Sequence, residues 1–222
     1  TRLMQRRALL AAAAFARPAL AQPTWPDRPV RVVVPFTPGG STDILARAVA
    51  RGLSERFGQP FVVENRAGAG GTVGSEMVAR AAPDGTTLMM GHIGTLAVNP
   101  AIYPNLSFDT VASFQPVVLV ATVANILVVH PQRGPADIRA LVERAKARPG
   151  ELTYGSGGNG SAAHISMVAF AEATGITLSH VPYRGTAPMM TDLIAGQIDM
   201  TMTGGPPALP PVMVMSICPA IR

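Results

Sequence analysis

The sequence is poor in cysteine, in lysine and in charge of either sign. Cys218 is the only cysteine among 222 residues, which excludes an intrachain disulfide, a cysteine-rich zinc site and a Cys-x-x-Cys redox pair. Charged residues make up 14% of the chain and hydrophobic residues 48%, a composition typical of a chain that folds around a core. No uninterrupted apolar run approaches the roughly 18 residues that span a bilayer, so we do not expect a membrane-embedded transporter.

The net positive charge of +5 is concentrated at the N-terminus. Four arginines and no acidic residue fall in residues 1–21, whereas the remainder carries 14 basic and 13 acidic side chains. Lys146 is the only lysine. Proteins that follow a phosphate backbone need a clustered basic face, which this distribution does not provide. The sequence therefore predicts no nucleic-acid partner.

Residues 1–21 have the organisation of an export signal. Gln5-Arg6-Arg7 is a basic segment, residues 8–16 are apolar, and Ala19-Leu20-Ala21 fits the small-x-small cleavage pattern. We therefore predict a periplasmic protein that is cleaved near Ala21. The paired arginines suit the twin-arginine route, and the general secretory route is the alternative.

Predicted strands and helices alternate after this leader. The valine-rich run Val30 to Phe36 is typical of a strand that is buried on both faces. Residues 44–57 then place apolar side chains on one helical stripe, which ends at Gly58. The alternation continues to residue 203, with Val117 to Val129 as two strands or one bent strand. This pattern predicts an α/β protein in which helices cover parallel sheets.

A first Gly-rich loop, Pro35 to Asp43, joins the first strand to its helix. The unpaired N–H groups of a first helical turn, together with the helix dipole, favour an anion such as a carboxylate. Ser41 or Thr42 is predicted to cap the helix, which would leave the other hydroxyl for a ligand. Asp43 is interpreted as a partner of the helix dipole rather than a catalytic acid. The Gly-Lys-Ser/Thr ending of a phosphate-binding P-loop is absent.

A second Gly-rich loop, Gly155 to Ser161, fits the pattern G-x-G-x-x-G between a strand and a helix. It can be interpreted as a dinucleotide-binding loop or as a second carboxylate cradle. The acidic residue that would bind a ribose about 20 residues later is absent, which weakens the dinucleotide interpretation. No serine lies in a G-x-S-x-G motif and no two histidines have metal-binding helical spacing, so His164 is interpreted as packed or capping.

Two further segments follow predicted strands. Gly91 to Thr95 comes after the third strand, and Pro182 to Thr186 comes after a later one. Ligands of open α/β sheets bind outside the carboxyl ends of the strands, so both segments are predicted to face one cleft. Tyr183 offers a ring and a hydroxyl, and Arg184 is either a carboxylate partner or an outer-surface residue.

These motifs, in this order, resemble those of the solute-binding proteins of tripartite tricarboxylate transporters (the TctC-like or Bug family). The resemblance extends from residue 25 to residue 203. Seven segments carry it: Trp25 to Arg31, Pro35 to Asp43, Val63 to Gly71, Ala82 to Leu88, Val98 to Tyr103, Tyr154 to Ser161 and His180 to Gly185.

The resemblance implies a periplasmic-binding-protein fold of type II, with two α/β lobes joined by hinge strands. Lobe one would hold residues 22–122 and lobe two residues 123–204. In the family the chain then returns to complete lobe one. Residues 205–222 are rich in proline and do not match that portion, so we predict a truncated or frame-shifted end and an incomplete lobe one.

The resemblance also implies a non-enzymatic, monomeric protein that needs no cofactor or metal, captures a small organic carboxylate and delivers it to the membrane subunits of a transporter. Two other functions stay open: an NAD(P)-dependent oxidoreductase that uses the loop Gly155 to Gly160, and a ligand-sensing partner of a membrane sensor kinase. The ligand-binding residues that the resemblance implies are Phe36, Pro38, Gly39, Gly40, Ser41, Thr42, Asp43, Thr95, Ser156, Gly157, Asn159, Gly160, Ser161, His164, Tyr183, Arg184, Gly185 and Asp199.

Overall fold

The computed structural model describes residues 25–204 and the backbone of residues 213–215. They form two sheets, each flanked by helices, which we call the first and the second lobe. The predicted export signal with its cleavage point near Ala21, and most of the proline-rich tail, lie outside the described residues.

The first lobe is built on three parallel strands. They are β1 (Val30–Val34), β2 (Phe61–Asn65) and β3 (Thr87–Met89), in the order β2-β1-β3. Val30, Val32 and Val34 of β1 are at most 4% exposed and pack against Ala46 and Ala50 of helix α1 (Ser41–Phe57). The valine-rich run therefore forms the buried central strand that the sequence predicts.

Two short helical segments complete the described part of this lobe beside β3. A 3₁₀ turn at Ala69–Gly71 precedes α2 (Thr72–Ala79), and a π-helical turn at Gly94–Val98 runs into α3 (Asn99–Ile102). Loops that the sequence predicts at strand ends thus contain helical turns, which fix the direction of their backbone groups.

The second lobe is built on a mixed sheet of five strands. They are β4 (Asn125–Val129), β5 (Thr153–Ser156), β6 (Ser179–Pro182), β7 (Met200–Gly204) and β8 (Met213–Met215), in the order β6-β5-β7-β4-β8. β5 is parallel to β6 and β7, whereas β4 is antiparallel to β7 and β8. The prediction of parallel strands is confirmed for β5, β6 and β7 but is wrong for β4. β4 and β7 are not joined by one helical crossover that would fix their relative direction.

Helices α4 (Ile138–Ala147), α5 (Ala162–Thr174) and α6 (Thr186–Ile194) flank this sheet. Leu127, Leu141, Leu152, Met167 and Met200 are all completely buried in one core cluster. Met189 of α6 packs on the other side of the sheet against Val128, as expected for a core methionine.

The apolar run Val117 to Val129 forms one strand rather than two or a bent one. Only Asn125–Val129 pairs in the sheet, whereas the preceding residues have no regular structure, and Val117 and Leu119 are more than 80% exposed. The N–H and C=O groups of a strand need hydrogen-bond partners on a neighbouring strand. Hydrophobicity alone does not predict whether such a neighbouring strand is present. Among the described residues no helix is both long and apolar enough to cross a bilayer.

Candidate functional site

The two Gly-rich loops face one cavity between the lobes. The cavity has a volume of about 740 Å³. Its wall includes Gly40, Ser41 and Thr42 at the start of α1, and Gly157 and Ser161 at the start of α5. The carboxyl ends of β1 and β5 thus point into the same space from opposite lobes, where the helix dipoles of α1 and α5 both favour an anion.

The start of α1 leaves its backbone donors uncapped. Its N-cap is Gly40, in an extended conformation and without any side-chain hydrogen bond. The prediction that Ser41 or Thr42 caps this helix is therefore wrong: both lie inside the first turn. The Gly40 position is also close to the second lobe, since a Cβ atom there would lie 3.1 Å from Thr186 Oγ1. A glycine cap leaves the first-turn N–H groups for an anion.

The start of α5 is capped in the usual way. Ser161 is the N-cap, and its Oγ accepts a hydrogen bond of 3.3 Å from the N–H of His164. The remaining first-turn amides, at Ala162 and Ala163, belong to residues that line the cavity. Both lobes consequently offer backbone N–H groups to the same space.

The rest of the cavity wall is mainly apolar but includes uncharged polar side chains, namely Thr122, Asn125, Ser166, Thr186 and Thr203. Its apolar lining includes Phe36, Leu45, Met90 and Ile165, and among the described residues His92 is the only ionisable one that lines it. Burial lowers the pKa of His92 to about 4, so its imidazole is neutral at pH 7. In the described part of the chain, no group of three or more His, Cys, Asp or Glu side chains is placed to hold a metal ion.

The neutral state of His92 gives a pH prediction. Because burial lowers the pKa of His92 from 6.5 to about 4, we expect its NMR signals to titrate near pH 4 rather than near 6.5. The unfolded chain takes up this proton first, so His92 stabilises the fold fully above pH 6.5 and progressively less as the pH falls toward 4. Urea unfolding of the wild type and His92→Phe at pH 7 and pH 4.5 measures this loss. A His92 signal that titrates near pH 6.5 would contradict it.

Asp43 is a structural residue rather than a ligand-binding one. Its carboxylate is 3% exposed at residue level and accepts hydrogen bonds from Gly39 N–H (3.0 Å), Arg47 Nε (3.0 Å) and Asn65 Nδ2 (2.9 Å). Burial by itself raises the pKa of Asp43, but the hydrogen bonds from Arg47, Gly39 and Asn65 outweigh it and hold that pKa below its usual value. The carboxylate thus fixes the bend of the loop and leaves no free oxygen for a ligand.

A second, smaller cavity of about 250 Å³ adjoins the first. Gly70 and Tyr103 of the first lobe line it opposite Asn159, Tyr183 and Arg184 of the second. Tyr103 donates a hydrogen bond of 3.4 Å to the backbone oxygen of Asn159. Arg184 is exposed and reaches this second space rather than the larger one, whereas Phe36 and Gly157 border both.

Four predicted site residues are placed differently from the prediction. Tyr183 donates its hydroxyl to Asp192 (2.7 Å), so only its ring and backbone face the cleft. Asp199 lies at the amino end of β7, where it accepts hydrogen bonds from Thr153, and it lines neither cavity. Pro38 is exposed and lines neither cavity. Ser156 is completely buried under the second loop.

The remaining predicted residues support the loops from behind. Thr95 is buried and donates its hydroxyl to the backbone oxygen of His92 (2.9 Å). The N–H of Gly160 donates to His164 Nδ1 (3.3 Å), which agrees with the capping interpretation of His164. A Cβ at Gly185 would overlap the hydroxyl of Thr37 in the other lobe, so this glycine permits close contact between lobes.

Sequence reasoning missed Asn99, which is completely buried between the lobes. Its Nδ2 donates to the backbone oxygen of Gly70 (3.0 Å), while its Oδ1 faces Gly160 and finds no hydrogen-bond partner in the part of the chain that the structure describes. Gly94 lies in the segment Gly91 to Thr95, which the sequence predicts to face the cleft, and its Cα faces the backbone oxygen of the same Gly160. Periodicity carries no signal for such residues, and only the family resemblance included Asn99, in the segment Val98 to Tyr103.

Comparisons with known proteins agree with this geometry. The family model described as "Tripartite tricarboxylate transporter family receptor" matches residues 45–215. A "UPF0065 protein in tcbD-tcbE intergenic region" of Pseudomonas sp. (strain P51) is 43% identical over 176 residues, which cover 79% of this chain and 52% of the relative. Protein BugT of Bordetella pertussis is 38% identical over 201 residues, covering 90% of this chain and 61% of BugT. The chain thus spans about half to three fifths of the length of these relatives.

Solved structures show the same two-lobe fold. R. palustris Rpa4515 with adipate has a TM-score of 0.84 at 38% identity, over 86% of this chain and 66% of that chain. The periplasmic binding protein BugD has a TM-score of 0.74 at 37% identity, over 81% and 60%. MatC (Rpa3494) from Rhodopseudomonas palustris with bound malate has a TM-score of 0.76 at 34% identity, over 81% and 61%. With its family match, its relatives and its two facing Gly-rich helix starts, this chain belongs to the tripartite tricarboxylate transporter family of solute-binding receptors (TctC/Bug).

Proposed function

We propose that this protein binds a small organic carboxylate in the cavity between its lobes and does not transform it. The main support is one observation: the starts of α1 and α5, from opposite lobes, border one cavity, at Gly40 to Thr42 in the first lobe and at Gly157 and Ser161 in the second. Each start offers backbone N–H groups at the positive end of a helix dipole. A carboxylate between them accepts hydrogen bonds from both lobes at once.

Binding in this way needs no fixed cation. Within residues 25–204 no Lys or Arg side chain lines the larger cavity, so the neutralising charge comes from the two helix dipoles and from polar hydrogens. Contact between the lobes excludes water, which strengthens these hydrogen bonds because the local dielectric constant falls. The adipate and malate found in similar structures have the carboxylate chemistry that the site requires.

An enzymatic function is not part of the proposal. Ser156 and His180 lie 2.6 Å apart and look like a nucleophile and its base, but Ser156 is completely buried and cannot reach a substrate in the cavity. The Gly155 to Gly160 loop lacks the acidic residue that a dinucleotide ribose would need about 20 residues later.

Export to the periplasm and delivery to membrane subunits of a transporter are also proposals. Export is supported by the leader pattern of residues 1–21 and by the similarity to the periplasmic binding protein BugD. Delivery is supported by the description of the matching family as a transporter receptor. Pull-down with detergent-solubilised membranes, with and without a bound carboxylate, distinguishes a transporter partner from a sensor kinase.

Calorimetry tests the proposal directly. We expect the protein to bind at least one of adipate, malate, citrate and benzoate with a Kd in the micromolar range, about −8 kcal/mol. The uncharged diamide of adipic acid is the matched control and is expected not to bind, because it offers no anion to the helix starts. Failure of all four acids, or equal binding of the diamide, would contradict the proposal.

A further inference from the structure

Two histidines from different elements meet beneath the second Gly-rich loop. His180 comes from β6 and His164 from the first turn of α5, and their ring centroids are 4.5 Å apart. His180 also stacks on Tyr154 of β5, with centroids 4.8 Å apart and ring planes at 19°. The three rings thus contact one another in a row, with His180 in the middle.

Each histidine is bonded to this loop. His180 Nε2 lies 2.6 Å from Ser156 Oγ, and that hydroxyl accepts the N–H of Gly158 (3.1 Å) and lies 3.2 Å from the Gly158 oxygen. His164 Nδ1 accepts the N–H of Gly160 (3.3 Å). If Nε2 of His180 carries its proton, it donates to Ser156, whose own proton goes to the Gly158 oxygen, and the Ser156 hydroxyl is satisfied both as acceptor and as donor.

The arrangement requires neutral rings. A proton on Nδ1 of His164 would remove the acceptor of the Gly160 N–H, and two imidazolium rings at this separation would repel each other. The positive end of the α5 dipole also disfavours a positive charge on His164, which lies in the first turn of that helix. Tyr154 is the titratable group that faces the pair from β5, and no carboxylate among the described residues shifts the pKa of either histidine. Burial, with a smaller effect of His164, lowers the pKa of His180 to about 4, and burial also lowers the pKa of His164.

We propose that His180 and His164 are positioning residues of the carboxylate site, which act on the ligand through the loop Gly157 to Gly160. His180 holds Ser156 and thereby the amide of Gly158, and His164 holds the amide of Gly160. Gly157, the loop residue that borders the larger cavity, is thus positioned by two neutral imidazoles that line neither cavity. This inference rests on the proposed function of the site.

His180→Phe keeps the ring stack and removes the hydrogen bond to Ser156, whereas His180→Gln keeps a polar group. We expect His180→Phe to weaken adipate or malate binding about tenfold, Ser156→Ala to do the same, and the double variant to be no weaker than either single one. His180→Gln should restore most of the affinity. His130→Gln is the matched control, because His130 lies at the far end of β4, beyond Val129, and should bind like the wild type.

Amide hydrogen exchange in the unliganded protein tests positioning without any ligand. We expect amide exchange at Gly158 to be at least tenfold faster in His180→Phe than in the wild type. We expect the same increase at the Gly160 amide in His164→Phe. If the wild type binds no carboxylate but these exchange rates rise, the proposed function fails while the loop support stands. Affinity within twofold of wild type, or unchanged exchange at Gly158 in His180→Phe, would overturn the inference. If His180→Phe does not fold, Ser156→Ala is judged by the same two measurements.

Discussion

Replacing Gly94 by alanine is expected to weaken carboxylate binding about 100-fold, or about 2.7 kcal/mol. Gly94 lies in the first lobe with an ordinary backbone conformation, so alanine is compatible with its own segment. Its new Cβ would overlap the backbone oxygen of Gly160 in the second lobe. The overlap is with backbone, which has no flexible end that can move aside. The lobes must therefore separate at this point, and the two helix starts can no longer share one anion.

Calorimetry with adipate or malate measures the loss, and small-angle scattering measures whether the ligand still makes the molecule more compact. Gly52→Ala is the matched control, because a Cβ at Gly52 in α1 meets no atom within 4 Å. That variant should bind like the wild type and be slightly more stable, by about 1 kcal/mol, since alanine favours helix over glycine. Wild-type affinity in Gly94→Ala would show that contact between Gly94 and Gly160 is not needed for binding.

Replacing Asp43 by alanine is expected to lower the free energy of unfolding by about 3 kcal/mol. The substitution leaves the Gly39 N–H without its acceptor, removes one of the two acceptors of the Asn65 amide, and removes the ion pair with Arg47. Binding should weaken as well, because these bonds hold the loop that leads into α1. Urea unfolding at pH 7 gives the stability, and calorimetry gives the affinity.

The lowered pKa of Asp43 fixes the pH dependence of this effect. Its contribution is fully present above the unfolded value of 3.8 and is lost as the pH falls through the lower folded value, so wild type and Asp43→Ala should converge in acid. Glu55→Ala is the control on the same helix. Its ion pair with Arg51 is largely exposed, so it should change stability by less than about 0.5 kcal/mol. A similar loss in both variants would contradict a special role for Asp43.

Several residues show why sequence reasoning identified the loops but not all of their contacts. Gly40 and Gly157 each follow a buried strand and precede a helix, and both features are visible in the local sequence. Because ligands of open α/β sheets bind outside the carboxyl ends of the strands, the sequence could predict that both glycines border one cavity. Tyr183 and Asp199 were predicted to face the ligand. Their hydrogen-bond partners, Asp192 and Thr153, depend on how α6 and β5 pack in the second lobe. The spacing of residues along the sequence does not predict that packing.

The sequence by itself determined where strands end and helices begin, and hence that two uncharged, glycine-containing turns offer backbone donors to an anion. Backbone preferences and hydrophobic periodicity act over a few residues, so they can be predicted from the local sequence. Only the tertiary structure decided that Gly94 meets Gly160, that His180 holds Ser156, and that residues 117–123 stay unpaired. These contacts join residues far apart in the chain, and they exist only because the packing of whole elements brings them together.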